Sequence, residues 1–365
     1  MKLSHILSAT FVTAAITCAV SFVSCSKSGD SIIDEPDTPE TPEKPDTPVE
    51  TGPKYLVLAY VWQGAEMMPD VSSINGVIYS GNEPNPATYG LKVMNPDRLK
   101  KMVDLKKQKK DLKVILSLGG ASKVGWDVVS ANESNRKAFA RACKRVIDQY
   151  DLDGLDFDWE IPGGYDNSAP IEVENFPKLI KEVRAAIGND KTISIATGNT
   201  GGGMKIDQLV DNIDWFNLMT YDMHWTGNKH HTPLYNSLLA PEHTVDRAVA
   251  YFADRNVPYS KIVVGLAFYG HGFNNVFGDY TDYRDIVPKP GVTFKWDNLA
   301  CVPYAVDADG NFVLGYDNPE SLTLKCDYVK KKGIRGAMYW RAECDNDSYE
   351  LAKTVGKCLI TEVDK

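Results

Sequence analysis

From Lys54 onward, short apolar runs alternate with longer segments whose apolar residues return at helical spacing. Tyr55 to Trp62, Ile74 to Ser80, Lys113 to Leu118, Thr192 to Thr197, Trp215 to Thr220, Ile262 to Tyr269 and Gly336 to Trp340 are nearly continuous apolar stretches. Runs of that length, bounded by turn residues, predict strands buried on both faces. Segments 95–109, 132–150, 171–187, 241–255, 321–332 and 346–359 read as helices; in the second, Phe139, Ala142, Val146 and Ile147 share one face. With Asp153 to Glu160 as the remaining strand, eight strands alternate with helical stretches. That order predicts an α/β fold, the TIM (β/α)8 barrel. A doubly wound sheet fits less well, because Gly201-Gly202-Gly203 lacks the G-x-G-x-x-G spacing of a dinucleotide site.

One strand breaks the apolar rule. Residues 153–160 read Asp-Gly-Leu-Asp-Phe-Asp-Trp-Glu. A strand sends alternate side chains to one face, so Asp156, Asp158 and Glu160 form a column with steps of about 6.5 Å, from a rise of about 3.3 Å per residue. Like charges so close, among apolar neighbours, shift their pKa values, and such shifts cluster at working sites. In a barrel the chemistry sits at the C-terminal strand ends. Glu160, just before Ile161-Pro162-Gly163-Gly164, therefore lies at the mouth, with Asp158 below it and Asp156 deepest. Asp153 has the opposite parity and is expected to satisfy backbone donors. The solvated-edge alternative is disfavoured by Phe157 and Trp159.

Between strands seven and eight, Asp309-Gly310 is a hairpin signal flanked by Tyr304 to Val306 and Phe312 to Leu314. A small α+β-type insertion of two or three strands is expected over about 280–317, within a catalytic domain spanning 53–360. Residues 1–25 read as an export signal: a basic start, an apolar run over 6–24, and Cys25 in the lipobox-like Phe22-Val23-Ser24-Cys25. An uncleaved membrane anchor is the competing reading, and lipid attachment at Cys25 is favoured. Residues 26–52, with Pro36, Pro39, Pro42, Pro45 and Pro48 spaced by three among Asp, Thr and Glu, read as an extended linker. These readings predict a protein of the bacterial envelope, held to the membrane by lipid on its periplasmic face or at the cell surface, and monomeric.

The net charge of −9 removes nucleic acid as a partner. The cysteines beyond the linker number five, so not all can pair within the chain. The histidines are scattered without metal-ligand spacing, so neither metal nor cofactor is expected.

The motifs together resemble glycoside hydrolase family 18, the chitinases and related endo-β-N-acetylglucosaminidases. Asp153-x-x-Asp156-x-Asp158-x-Glu160 matches that family's D-x-x-D-x-D-x-E signature. Ser117-Leu118-Gly119-Gly120, Met219-Thr220-Tyr221-Asp222, Gly265 to Gly270 and Met338-Tyr339-Trp340 are similar to its other strand-end motifs, in the family's order. The resemblance implies retaining, substrate-assisted hydrolysis, in which the 2-acetamido group of the sugar attacks the anomeric carbon and forms an oxazolinium ion. It implies Glu160 as the acid, Asp158 as partner of the acetamido N–H, Asp156 sharing a proton with Asp158, and Tyr221 donating to the acetamido group. Asp222 would bind the sugar, Met219 would line the pocket and Trp340 would form its floor. Tyr60 and Tyr269 are either walls of the groove or packing. Ser117 and Gly119 are expected to support the site. Trp62, Trp126, Trp225 and Trp296 are candidate sugar platforms. The resemblance implies a GlcNAc-containing oligo- or polysaccharide as substrate, with chitin first. The chitobiose core of N-glycans is the alternative, and a non-catalytic lectin on the same barrel the second.

Overall fold

The computed structural model describes residues 54–120, 125–164, 168–225 and 227–361. The export signal, Cys25 and the linker lie outside them. Eight parallel strands close on themselves: β1 (Leu56–Trp62), β2 (Gly76–Asn85), β4 (Lys113–Gly120), β5 (Gly154–Trp159), β6 (Thr192–Gly198), β7 (Trp215–Met219), β8 (Ile262–Ala267) and β14 (Gly336–Trp340). β1 pairs with both β2 and β14, which completes the barrel. β2 runs past its predicted end and folds back on β3 (Gly90–Lys92) as an antiparallel pair, a hairpin the apolar pattern did not announce.

Helices pack outside: α1 (Pro96–Asp104), α2 (Trp126–Ser130), α3 (Glu133–Tyr150), α4 (Pro170–Ile187), α5 (Ile206–Leu209), α6 (Val245–Ala253), α7 (Pro319–Lys332) and α8 (Glu350–Gly356). Two begin later than their predicted starts. α6 starts after Thr244, whose side chain accepts the Arg247 N–H and caps it. α8 starts after Tyr349, which is left-handed at φ 57°.

Period-two alternation sorts the strands into two cores. Leu155, Phe157 and Trp159 of β5 face the helices and pack with Phe176 and Trp126. A smaller inner core holds Leu58, Tyr60, Ile115, Val263 and Met338. Asp156 and Asp158 point into that inner space, on the same face, as their spacing required.

The run Ile262 to Tyr269 is split. β8 stops at Ala267, and Tyr269 opens β9 (Tyr269–Gly272) in a second sheet. This antiparallel sheet also contains β10 (Thr281–Asp282), β11 (Thr293–Asp297), β12 (Val302–Val306) and β13 (Phe312–Gly315), ordered β10-β9-β13-β12-β11. The predicted hairpin at Asp309-Gly310 joins β12 and β13. The insertion is thus five-stranded and begins at the very end of β8, rather than near residue 280.

Candidate active site

The column on β5 rises from a dry interior to a wet rim. Asp156 is fully buried, Asp158 nearly so, and Glu160, one residue past the strand, is part-exposed. Parallel register places Ser117 of β4 and Ser194 of β6 beside Asp156. Both hydroxyls donate to it, at 2.8 Å and 2.7 Å. Tyr60 Oη at 2.9 Å and Asn217 Nδ2 at 3.0 Å complete the cradle. Each carboxylate oxygen therefore takes two donors, which is what an ionised carboxyl accepts. Burial still lifts the Asp156 pKa above its ordinary value, against the pull of these bonds.

Asp158 is held differently. Its Oδ1 is buried with no hydrogen-bond partner among the described residues. No hydrogen bond joins the Asp158 and Asp156 side chains in this structure. Burial, then the charges of Glu160 and Asp156, push the Asp158 pKa well up. Glu160 is raised too, by burial first and next by the charge of Asp222, and its own charge helps raise Asp158.

Gly119 explains how β4 lies so close. It pairs with Asp158 in register and has φ +117°. A Cβ there would stand 2.4 Å from the Asp158 carbonyl oxygen. Gly119→Ala is expected to destabilise the fold by at least about 1–3 kcal/mol through backbone strain, and to lower turnover by displacing Asp158. Denaturant melts and turnover measured on the same preparation check this.

Tyr221 follows β7 and is buried, its pKa driven well above normal by burial and the charges of Asp222, Asp158 and Glu160. Its hydroxyl has only a 3.9 Å contact to Met338 Sδ, so a donor stands ready with no strong acceptor. Asp222 has left-handed φ 56°. Its Oδ1 accepts from Tyr269 Oη, lies 2.7 Å from His271 Nε2 and 3.8 Å from His231 Nδ1. Burial pushes the Asp222 pKa up, but the two imidazoles and the Tyr269 hydroxyl outweigh it and hold it far below the carboxylate range.

Two cavities meet over this column. One, about 460 Å3, is lined by Tyr60, Trp62, Asp158, Tyr269, Tyr280 and Trp340. The other, about 700 Å3, runs past Ile161, Pro162, Val173, Asn199 and Trp225. Glu160, Met219, Tyr221 and Asp222 line both. Trp340 lies 5.8 Å from the Tyr60 ring and 6.5 Å, edge-on, from Trp62. Tyr60 and Tyr269 line the cavity, and each also donates to an aspartate, Asp156 and Asp222 respectively. Asp153 lies off the column; it accepts the Val114 N–H at 2.7 Å and pairs with Lys106 at 2.8 Å.

Among the tryptophans, Trp126 is not a platform. It is fully buried and stacks on Trp159 at 5.1 Å. Trp62 and Trp225 open onto the two cavities, and Trp296 sits on β11 of the inserted sheet.

Several residues escaped sequence reasoning. Ser194 and Asn217 are polar positions inside otherwise apolar strands, which was an available signal. Arg98 and Glu343 were not foreseeable, being 245 residues apart. They form a 2.8 Å ion pair, both 5% exposed. Glu343 accepts the Trp62 N–H at 3.0 Å and Arg98 donates to the Trp62 carbonyl at 3.1 Å. The pair therefore grips the backbone of one cavity-lining tryptophan, Trp62, and its Glu343 stands three residues after the other, Trp340. The grouping of Asp222, His231 and His271, whose ligating atoms all lie within 4.8 Å of one another, was likewise invisible to a search for metal-ligand spacing.

Comparison with known proteins gives a consistent result. The family model described as Glycosyl hydrolases family 18 matches residues 42–345. Chitinase A1 of Niallia circulans is 29% identical over 293 residues, covering 67% of this chain and 42% of its own length. Chitotriosidase-1 of Mus musculus is 29% identical over 301 residues, covering 69% and 64%. The chain thus spans from under half to just under two thirds of these curated relatives. A solved family 18 N-acetylglucosaminidase from Paenibacillus barengoltzii superposes with TM-score 0.75 and 28% identity, over 84% of this chain and 100% of that one.

Proposed function

The chain belongs to glycosyl hydrolase family 18, and on that premise we propose that it hydrolyses β-1,4-linked N-acetylglucosamine chains of the chitin type, with retention, through an oxazolinium ion made by the substrate itself. One observation carries the reading. Asp158 offers an unpartnered carboxylate oxygen and Tyr221 a hydroxyl with no strong acceptor, in a site floored by Trp340 and rimmed by Glu160. A 2-acetamido group supplies what both lack: an N–H for Asp158 and a carbonyl oxygen for Tyr221.

The sequence of events follows from that geometry. The sugar stacks its apolar face on Trp340. Asp158 accepts the acetamido N–H and turns the acetamido oxygen toward the anomeric carbon. As that oxygen attacks, Glu160 gives its proton to the departing glycosidic oxygen. Positive charge spreads over the new ring, and the Asp158 charge, fixed in a dry site, stabilises it. Water then opens the oxazolinium ring as Glu160 takes the proton back. Asp156, held by its four donors, adds negative charge beneath the site that favours the developing cation; Asp222 binds the sugar. The cavity past Ile161 and Trp225 receives the leaving portion. A lipid on Cys25, with the spacer behind it, would hold this domain at the bacterial envelope.

A digest panel tests the substrate. Chitin oligomers are expected to be cleaved to short products, with high-mannose and complex N-glycopeptides left intact. Cleavage of the glycopeptides alone would transfer the reading to the chitobiose core of N-glycans. Binding without cleavage of either would make the chain a lectin.

A further inference from the structure

We propose that Asp222, His231 and His271 form a binding site for a divalent transition-metal ion of the zinc class, at the edge of the cleft where both cavities meet. Three elements deliver the ligands. Asp222 follows β7, His231 comes from the loop beyond it, and His271 lies on β9 of the inserted sheet. One ligand atom from each of the three lies within 4.8 Å of the others; Asp222 Oδ1 is 2.7 Å from His271 Nε2 and 3.8 Å from His231 Nδ1. Around a tetrahedral zinc, with bonds of about 2.0–2.2 Å, ligand atoms stand roughly 3.3 Å apart. The present separations of 2.7 Å and 3.8 Å from Asp222 Oδ1 bracket that value. Shifts below about 1 Å at these two contacts bring them to it.

His231 gives the independent indication. It is fully buried, its Nδ1 lies 3.4 Å from the Asp222 N–H and 3.8 Å from Asp222 Oδ1, and its Nε2 has no partner among the described residues. Its Nδ1 lone pair faces Asp222 through this long N–H contact alone, and giving that contact up would free it for an ion. Two imidazoles and one carboxylate select zinc, copper or nickel rather than magnesium or calcium, which prefer all-oxygen shells. Asp222 is 41% exposed, so a fourth position remains for water. The ion would take the carboxylate that lines both cavities. Metal and saccharide therefore compete for Asp222, and zinc is expected to act as a reversible inhibitor.

The decisive titration contains no saccharide, so it stands or falls separately from the proposed hydrolysis. Zinc is titrated calorimetrically into the full chain, and cobalt(II) binding is followed by visible absorption. One ion per chain is expected, with cobalt d–d bands and no sulfur-to-cobalt charge-transfer band, which excludes the part-exposed thiol of Cys301 as the ligand. His271→Gln and His231→Gln are each expected to weaken binding about tenfold or more, as loss of one of three ligands requires. Circular dichroism verifies folding. If the fully buried His231 position does not tolerate the change, the part-exposed His271 variant decides alone. Unaltered affinity in the folded His271→Gln protein, a thiolate band, or no binding by the wild-type chain would each overturn the proposal.

Discussion

Glu160→Gln is expected to reduce kcat on chitin oligomers by about 10^2–10^4, the usual worth of a positioned general acid, while leaving KM nearly unchanged. The amide keeps the shape of the protonated carboxyl and makes no new contact, since Glu160 has no hydrogen bond to any described residue that the change would break. The deficit should depend on the leaving group. A sugar alkoxide needs its proton, whereas an aryloxide such as methylumbelliferone leaves almost unaided, so the loss on the fluorogenic chitobioside should be smaller. Equal losses on both substrates would show that Glu160 is not the acid. The pH profile supplies a second check. Burial and Asp222 raise the Glu160 pKa, so the acid is protonated below that raised value and lost above it. Wild-type kcat/KM should fall as pH rises through it, and the Gln variant should lack that alkaline limb. Because Glu160 and Asp158 interact, the observed midpoints belong to the pair rather than to either residue.

Lys325→Met should cost about 3–5 kcal/mol of folding stability, a large part of the 5–15 kcal/mol a domain commonly has. Lys325 on α7 and Asp317 are both wholly buried, with Nζ 2.7 Å from each carboxylate oxygen. Without the lysine an uncompensated charge stays in the interior. Ser321 Oγ at 2.6 Å and the Ala267 N–H at 3.3 Å also bond Asp317, but neither is a counter-charge. Lys325 donates further to Thr232, which donates to the Thr220 carbonyl, immediately before Tyr221. Denaturant unfolding of the single variant, and of a double variant with Asp317→Leu, checks the origin of the loss. The double variant should recover much of it, since an apolar pair avoids the desolvation cost. A double variant as weak as the single one would place the loss in the Thr232 and Ala267 bonds instead.

The barrel and its carboxylate column were legible because both depend on short-range rules. Apolar runs marked the strands, and a two-residue period fixed which side chains share a face. Parity set Asp153 off the column, where it accepts the Val114 N–H. What stayed hidden depends on contacts between remote segments. Asn217 and Ser194 reach Asp156 only through the register of neighbouring strands. The Arg98–Glu343 pair joins the two ends of the domain. His231 and His271 meet at Asp222 only because β9 leaves the barrel and turns over its mouth. The four donors that fill Asp156 come from four other strands, which no single stretch of sequence announces. Trp126 was misplaced for a similar reason, since a residue just beyond a strand end can turn inward as readily as out.

The abrupt handover from β8 to β9, one residue apart, bears on how this protein can be re-engineered. An insertion joined by slack loops can be trimmed or exchanged as a cassette. Here the first strand of the appended sheet carries Tyr269 and His271, both bonded to Asp222. Excising the sheet would remove the anchors of a cleft aspartate along with the wall. Any graft that alters substrate range must therefore keep residues 269–272 with the barrel and place its seams beyond them.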